Sequence, residues 1–500
     1  MSLPSVYALA QNPSGLQIEW ADSVELRMSG FTEIANIDEQ YIYLYKHTFS
    51  NGFQSTNWEF VVLYKSSLEV AWKYRGEPRT IDGQRLKIVH AEGIDGVFRI
   101  VLSHISPETN GMKLHLTEVS ENGLAGGYLP LAHFSFDFEE ANKQWLMGNR
   151  GKNVRSFDFI YKDIYQDKND SVLDIQRYDE NYKPTRVRVN LNHNISHTRF
   201  LSFVNSDEGE SFLILEYSND ADRAKTLGIY KYNDLGVSHS CFINIPANEW
   251  SNHWFNINNG NIEIGTLAVF EDRTMKASIQ TVSMANLSEV SNHSSVVPKV
   301  LIERMKGRWD VDNPEKTPFV ISNLRSTSDG GSMITFQIQV HEDRDMMTLY
   351  NVSDPELTSD HYLKDLLTLK VTANSKVQWF SHIPLDQRAI GFLWSAGATF
   401  FHDEERQYIL LNDDGDNLIS WAQTFPKIDY MGWRSIRYAK IVLVTIGNDG
   451  TVYYEHLGDS RDEDEFTFGP SVSMGTEDGE VFLLRYSGNK RLEKLRVSEP

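Results

Sequence analysis

The sequence predicts an all-β fold: a single closed β-propeller of eight blades, with seven as the alternative count. Three observations carry this. One pattern recurs along all 500 residues, an apolar β-run, a polar turn rich in Asn, Asp, Gly or Ser, and a second β-run. Aromatic residues reach 12%, with 22 Tyr and 26 Phe, and such side chains suit half-buried pleated faces. Starts of successive copies lie about 50 to 60 residues apart through the first five copies and about 80 to 90 around the sixth, and a long period of this kind marks a propeller or array.

The copies run in order. The first is 58–74, turning at Lys65, Ser66 and Ser67, and the second is 112–130, turning from Ser120 to Gly123. The third, 172–189, turns around Asn181, and the fourth, 227–245, at Asn233-Asp234. The fifth, 275–297, turns near Asn286, and the sixth, 365–384, at Ala373-Asn374-Ser375-Lys376. The seventh, 441–457, turns from Gly447 to Gly450, and the last, 481–497, from Ser487 to Asn489. Further apolar runs stand between the copies, several behind acidic Gly turns such as Asp95-Gly96 and Asp329-Gly330. Each blade therefore reads as an inner strand, a middle strand and an outer hairpin. Residues 139–145 and 359–367, the second behind a Ser359 cap, read as short helical starts.

The final copy reads as an outer pair, so the ring needs a strand from the other terminus, and 6–10 or 16–20 is the natural supplier. No Pro-, Gly- or Ser-rich linker divides the chain, and blades cannot bury their faces alone, so one domain spans 1–500.

Composition narrows the function classes. The net charge of −21 repels phosphate backbones, so no nucleic-acid partner is expected. Cys241 is the single cysteine, which rules out an intrachain disulfide and a multi-cysteine metal site. No apolar run is long enough to span a membrane. Ala8-Leu9-Ala10-Gln11 fits a small-residue cleavage pattern, but no apolar h-region precedes it, so the chain as it stands carries no signal peptide.

The stretch from Ser328 through Asp365, Trp379, Ile383-Pro384 and Gln387 to Asn412-Asp413 and Asn417 resembles a family of exported β-propeller proteins of Bacteroidetes. The chain departs from that pattern at Asn374-Ser375, where the family favours Asp and Gly, and at Leu385-Asp386, where it favours Lys. The likeness covers about the last third of the chain. It implies a propeller and an exported location (periplasmic, outer-surface or secreted, the alternative being cytoplasmic), and it implies no activity.

Candidate sites are few. Asn412, Asp413 and Asn417, with Trp394, Trp433 and Arg434 near them in sequence, combine carboxylate, amide, guanidinium and aromatic groups suited to a sugar or cation. A turn that binds its own backbone is the competing explanation for the Asx residues. Asp310 and Asp312 alternate oxygen ligands as calcium prefers, without the Gly and spaced Glu of a calcium loop. Asn205 to Phe212 approaches an Asp-box, whose chemistry is turn-making. His193 and His197 have i, i+4 spacing but lack the helix and Glu of a zinc-protease motif. No phosphate loop, nucleophile elbow or Cys–His pair appears, and no cofactor is expected beyond calcium. The leading expectation is a non-enzymatic module that binds a protein or glycan through propeller loops or the central funnel. The alternatives are a carbohydrate-active hydrolase or lyase with carboxylates from different blades, and a structural component of an envelope complex.

Overall fold

In the computed structural model the chain forms an eight-bladed β-propeller. The structure describes residues 9–11, 17–26, 28, 32–46, 57–77, 80–81, 84–106, 111–125, 127–135, 144–149, 155–162, 171–191, 198–206, 210–218, 225–245, 250–258, 260–270, 274–299, 319–343, 359–390, 397–403, 406–414, 417, 439–459, 467–470, 473–476, 479–486 and 490–498.

Blade 1 is Thr32–Ile37, Tyr41–Lys46, Trp58–Tyr64 and Val70–Gly76, paired antiparallel in that order. Blade 2 is Lys87–Ile94, Val97–Ser106 and Gly111–Ser120, with Leu129–Ser135 outermost. Blade 3 is Gln144–Asn149, Phe157–Lys162, Val172–Tyr178 and Pro184–Asn190, and blade 4 is Thr198–Asn205, Ser211–Ser218, Lys225–Asn233 and Gly236–Ile245. Blade 5 follows as Trp250–Asn258, Asn261–Val269, Met275–Ser283 and Glu289–Val296. Blade 6, the longest-stranded, is Phe319–Ser326, Ser332–Asp343, Ser359–Val371 and Val377–Ile390. Blade 7 is Ala398–His402, Arg406–Asp414, Ala439–Gly447 and Val452–Asp459.

Blade 8 closes the ring. Thr467–Phe468 and Met474–Gly475 form its inner edge, Glu480–Tyr486 and Lys490–Ser498 its middle, and Gln17–Glu25 pairs antiparallel with Lys490–Ser498 as the outermost strand. Of the 16–20 candidate, residues 17–20 thus belong to the closing strand, and residue 16 lies outside the described residues. From the other candidate segment, Leu9–Gln11 instead adds a parallel fifth strand to the outer edge of blade 7. The final hairpin accordingly differs from the expected outer pair: it supplies the second and third strands, because the N-terminal strand takes the outer place. The expected helical start at Ser359 is also overturned. Its residues pair with Ser332–Asp343 on one side and Val377–Ile390 on the other, and two ladders of backbone bonds outweigh one capping residue. At 139–145, residues 139–143 lie outside the described residues, and Gln144 and Trp145 belong to the inner strand of blade 3.

Packing follows from the twofold alternation of strands. Each sheet turns one set of apolar side chains to the blade before it and the other set to the blade after it. Eight apolar clusters result, one at each seam between neighbouring blades. The seam of blades 8 and 1 joins Phe482, Leu484 and Leu492 to Ile42, Leu44, Val61 and Leu63, so the ring is closed by packing as well as by the shared sheet.

The turns explain why the hairpins could be read from sequence. Asp95 and Gly96 both have positive φ in a two-residue connection between Ile94 and Val97, the geometry that matches the twist of paired strands. Between the third and fourth strands a residue with positive φ recurs: Leu68, Gly123, Tyr182, Leu287, Ser375 and Gly450.

Candidate functional site where blades 4 and 5 meet the axis

Strands within a blade alternate in direction, so the start of the first, the end of the second, the start of the third and the end of the fourth share one rim, here called upper. The opposite ends share the lower rim.

The lower rim is taken up by joints between blades. Asn36 Nδ2 donates to Gly93 O at 2.9 Å and Asn36 Oδ1 accepts from Gly93 N at 2.6 Å, so one amide side chain completes the backbone of the next blade. Buried Arg99 donates from Nε to Glu92 Oε1 at 2.6 Å and reaches Arg155 O in blade 3. Burial raises the Glu92 carboxyl, but the His90 imidazole and the Arg99 guanidinium outweigh it and hold the group at about 2. At 3.9 Å, His90 is beyond hydrogen-bond reach, which leaves Arg99 as the bonded partner. Arg177 bridges Asp158 at 3.0 Å and Ser211 of blade 4 at 3.2 Å, while Tyr232 donates to the second Asp158 oxygen at 2.7 Å. Arg325 of blade 6 donates to Asp403 O, Arg406 O and Asn448 Oδ1 of blade 7.

Of the residues that carried the sequence resemblance, Trp379 and Gln387 join blade 6 to blade 7, while Asp365 ties two strands of blade 6 together. Trp379 Nε1 donates to Asn448 O at 2.9 Å, and its ring lies against Gly450 of blade 7. Asp365 accepts from Leu385 N at 3.0 Å and pairs with His382 Nε2 at 2.8 Å. Gln387 donates to Asn412 O at 2.6 Å and accepts from Gly397 N at 2.7 Å. Of the sequence candidates, Asn412, Asp413 and Asn417 are therefore brought together, and all three are buried. Asn412 Nδ2 donates to Phe468 O of blade 8 at 3.0 Å, and Asn417 Nδ2 donates to Asp413 Oδ1 at 2.9 Å. Trp394, Trp433, Arg434, Asp310, Asp312, His193 and His197 lie outside the described residues.

On the upper rim, the seam of blades 4 and 5 replaces apolar packing with charge. Arg199 pairs across the strands with Glu216, and Glu216 with Leu227, two residues beyond Lys225. The twofold alternation therefore puts Arg199, Glu216 and Lys225 on one face. Blade 5 answers with Ser251, His253 and Thr266. His253 Nε2 lies 3.0 Å from Glu216 Oε2, and His253 Nδ1 lies 3.0 Å from Thr266 Oγ1. Lys225 Nζ donates to Ser251 Oγ at 3.1 Å and stands 3.7 Å from Glu216 Oε2. A carboxylate only accepts, so Nε2 carries the proton toward Glu216. Burial works against the Glu216 charge, yet the hydrogen bond from His253 and the charges of Lys225, His253 and Arg199 outweigh it and lower its pKa.

The next residue, Trp254, sits at the middle of the innermost strand of blade 5, opposite Gly265 on the face turned to blade 6 and so on the other side of the sheet from His253, and is 37% exposed, with Ile257 at 41%. Innermost strands surround the propeller axis, so this indole is an exposed aromatic surface on the strand nearest the axis. Two blades away, the Trp145 and His90 rings meet edge to face at 6.2 Å on the inner strands of blades 3 and 2. An exposed aromatic face can stack on a sugar ring or a cation. His253 reads as a structural or surface histidine in the sequence because its partner Glu216 lies in another blade, and no local pattern marks Trp254 as exposed on an inner strand. The one local signal is the alternation of Ser251 with His253.

Among the described residues, no group of three or more His, Cys, Asp or Glu side chains is placed to hold a metal, and no helix is long and apolar enough to cross a membrane. No family model matches the chain, and no curated protein matches it. Among solved structures, the β-propeller domain of the Trilobed protease from Pyrococcus furiosus is similar at 10% identity over 81% of this chain and 92% of that one, with a TM-score of 0.33. AofleA from Arthrobotrys oligospora is similar at 10% identity over 78% and 96%, with a TM-score of 0.30. A puromycin-hydrolyzing peptidase from Mycobacterium tuberculosis is similar at 9% identity over 83% of this chain and 53% of that one, with a TM-score of 0.35, so the chain spans about half of that enzyme.

Proposed function

We propose that the protein is a binding module that takes a glycan into the axial channel and does not turn it over. The observation that carries this reading is Trp254, held at mid-strand on the axis with 37% of its surface open. A buried structural Trp would be packed between blades, as Trp58 and Trp379 are. We take the protein to be exported, on the resemblance around Asp365 and Trp379.

The test is a glycan array followed by thermal shift on the hits. A ligand that binds only the folded state raises the melting temperature by mass action. Wild type should shift with one sugar class, Trp254→Ala should lose the shift while keeping its own melting temperature, and the glycan should be recovered intact. Shortened glycan after incubation would transfer the site to the hydrolase or lyase reading. An unresponsive array would remove the glycan.

A further inference from the structure

We infer that the face of blade 5 turned to blade 6 carries a subsite for a neutral pyranose, one read through its hydroxyls by the side-chain amides of Asn252 and Asn256 on either side of the Trp254 indole. This rests on the glycan-binding reading above and specifies its ligand.

Alternation places the row. Asn252, Trp254 and Asn256 stand at every second position of the innermost strand, so they share a face. Their cross-strand partners are Leu267, Gly265 and Glu263. Two contacts fix which face it is. Asn252 Oδ1 accepts from Ile321 N of blade 6 at 2.9 Å, and Glu263 accepts from Ser326 Oγ on the same strand of blade 6. The row therefore runs along the inner edge of the seam of blades 5 and 6.

Gly265 decides where the indole goes. A ring can cover a glycine opposite it in a sheet, but blade 6 fills the space above this one. A Cβ at Gly265 would meet Leu324 Cδ2 at 3.2 Å, Ile334 Cδ1 at 3.5 Å and Ile321 Cδ1 at 3.7 Å. The indole stays 37% exposed instead.

The two asparagines flank that indole, each two strand rises away, about 7 Å. Both are half-buried. The bond from Ile321 N orients the Asn252 amide and makes Nδ2 its donor end. Asn256 closes the other end of the row, opposite Glu263. A side-chain amide both donates and accepts, as a sugar hydroxyl does, and an indole face suits the apolar face of a sugar ring. Amide, indole and amide in one row thus match a ring that stacks at its centre and presents hydroxyls at its margins. Such a row recognises hydroxyl positions and requires no charge on the ligand.

The experiment titrates the full chain by calorimetry at low and high salt. The neutral probes are maltohexaose, cellohexaose and mannohexaose, and oligogalacturonate is the charged one. The variants are Trp254→Ala, Asn256→Ala and Asn252→Asp, the last keeping the acceptor for Ile321 N while removing the Nδ2 donor. Melting temperatures check that each folds, and Asn256→Ala decides if Asn252→Asp lowers the melting temperature. One neutral hexaose should bind with an affinity that salt leaves unchanged. Asn252→Asp and Asn256→Ala should each weaken it about tenfold, and Trp254→Ala by more. Asparagine variants that bind as wild type does, while Trp254→Ala loses the sugar, overturn this inference and leave glycan binding standing. Binding confined to oligogalacturonate, or lost at high salt, does the same. Binding that all three variants retain overturns both the subsite and the role of Trp254. Binding of none of the four probes overturns this inference, and together with an unresponsive array it removes glycan binding as well.

Discussion

The backbone at Gly93 lies so close to the Tyr43 ring that a Cβ there would overlap it, and the same residue is held on both sides by the Asn36 amide. Tyr43 is itself fixed, donating to Asp38 at 2.7 Å and accepting from Gly96 N at 2.8 Å, so it has nowhere to move. Gly93→Ala should therefore destabilise the protein by about 2–3 kcal/mol, whereas Gly127→Ala, with nothing within 4 Å of its Cβ, should stay within about 0.5 kcal/mol of wild type. Denaturant melts of the two variants check this. Charge at single residues sets the acid limit. Glu92 lies at about 2 against an ordinary 4.5, and Asp329, bonded to Lys370, at about 2 against 3.8. A depressed carboxyl stabilises the fold above its unfolded pKa and loses that contribution as pH falls through the folded one. Stability should fall between about pH 4.5 and pH 2. Glu92→Gln should be less stable than wild type at neutral pH and should show a flatter profile across that window, read as melting temperature against pH.

The hairpin turns carry the argument at the scale of the element. Each has its backbone closed by a bond such as Leu68 N to Tyr64 O at 2.8 Å or Ser375 N to Thr372 O at 2.9 Å, with the donor residue at positive φ. For a side chain with a Cβ this conformation costs about 1–2 kcal/mol, and two turns answer that cost differently. Leu287 is 4% exposed and packs in the seam of blades 4 and 5, so Leu287→Gly should lose about 2–4 kcal/mol despite its easier backbone. Ser375 contributes only a weak bond to Asn292 O at 3.4 Å, so Ser375→Gly should gain about 0.5–1 kcal/mol. Opposite signs in chemical denaturation are the expected outcome, and equal signs would show that backbone conformation does not govern these turns.

For the whole molecule the decisive element is Gln17–Glu25 on blade 8. It joins the two ends of a ring whose other seams are formed by neighbours in sequence. Glu19 and Arg496 are opposite each other in that ladder and both exposed. Replacing both with Cys should allow a disulfide across the closure, worth about 2–4 kcal/mol. The melting temperature should be higher under oxidising than under reducing conditions, where the variant falls below wild type for want of the Arg496 bond to Glu480. A rise that survives reduction would point away from the covalent closure.

Whatever depends on near neighbours in the chain was legible before any coordinates. The eight hairpins, the Asp95-Gly96 turn and the need for a strand from the N-terminus all follow from two-residue alternation and turn chemistry, which act over a few residues. The sequence also brought Asn412, Asp413 and Asn417 to notice, and their motif proved to mark inter-blade bonds with Gln387 and Phe468. Tertiary structure alone decided which strand of blade 8 each segment became, that Ser359–Val371 is a strand, and that Arg199, Glu216, Lys225, Ser251 and His253 share one seam. The reason is the same in each case. A blade is built by local pairing, while a seam is built by two faces whose residues meet only after both sheets have formed, so a seam's chemistry has no contiguous signature in the chain.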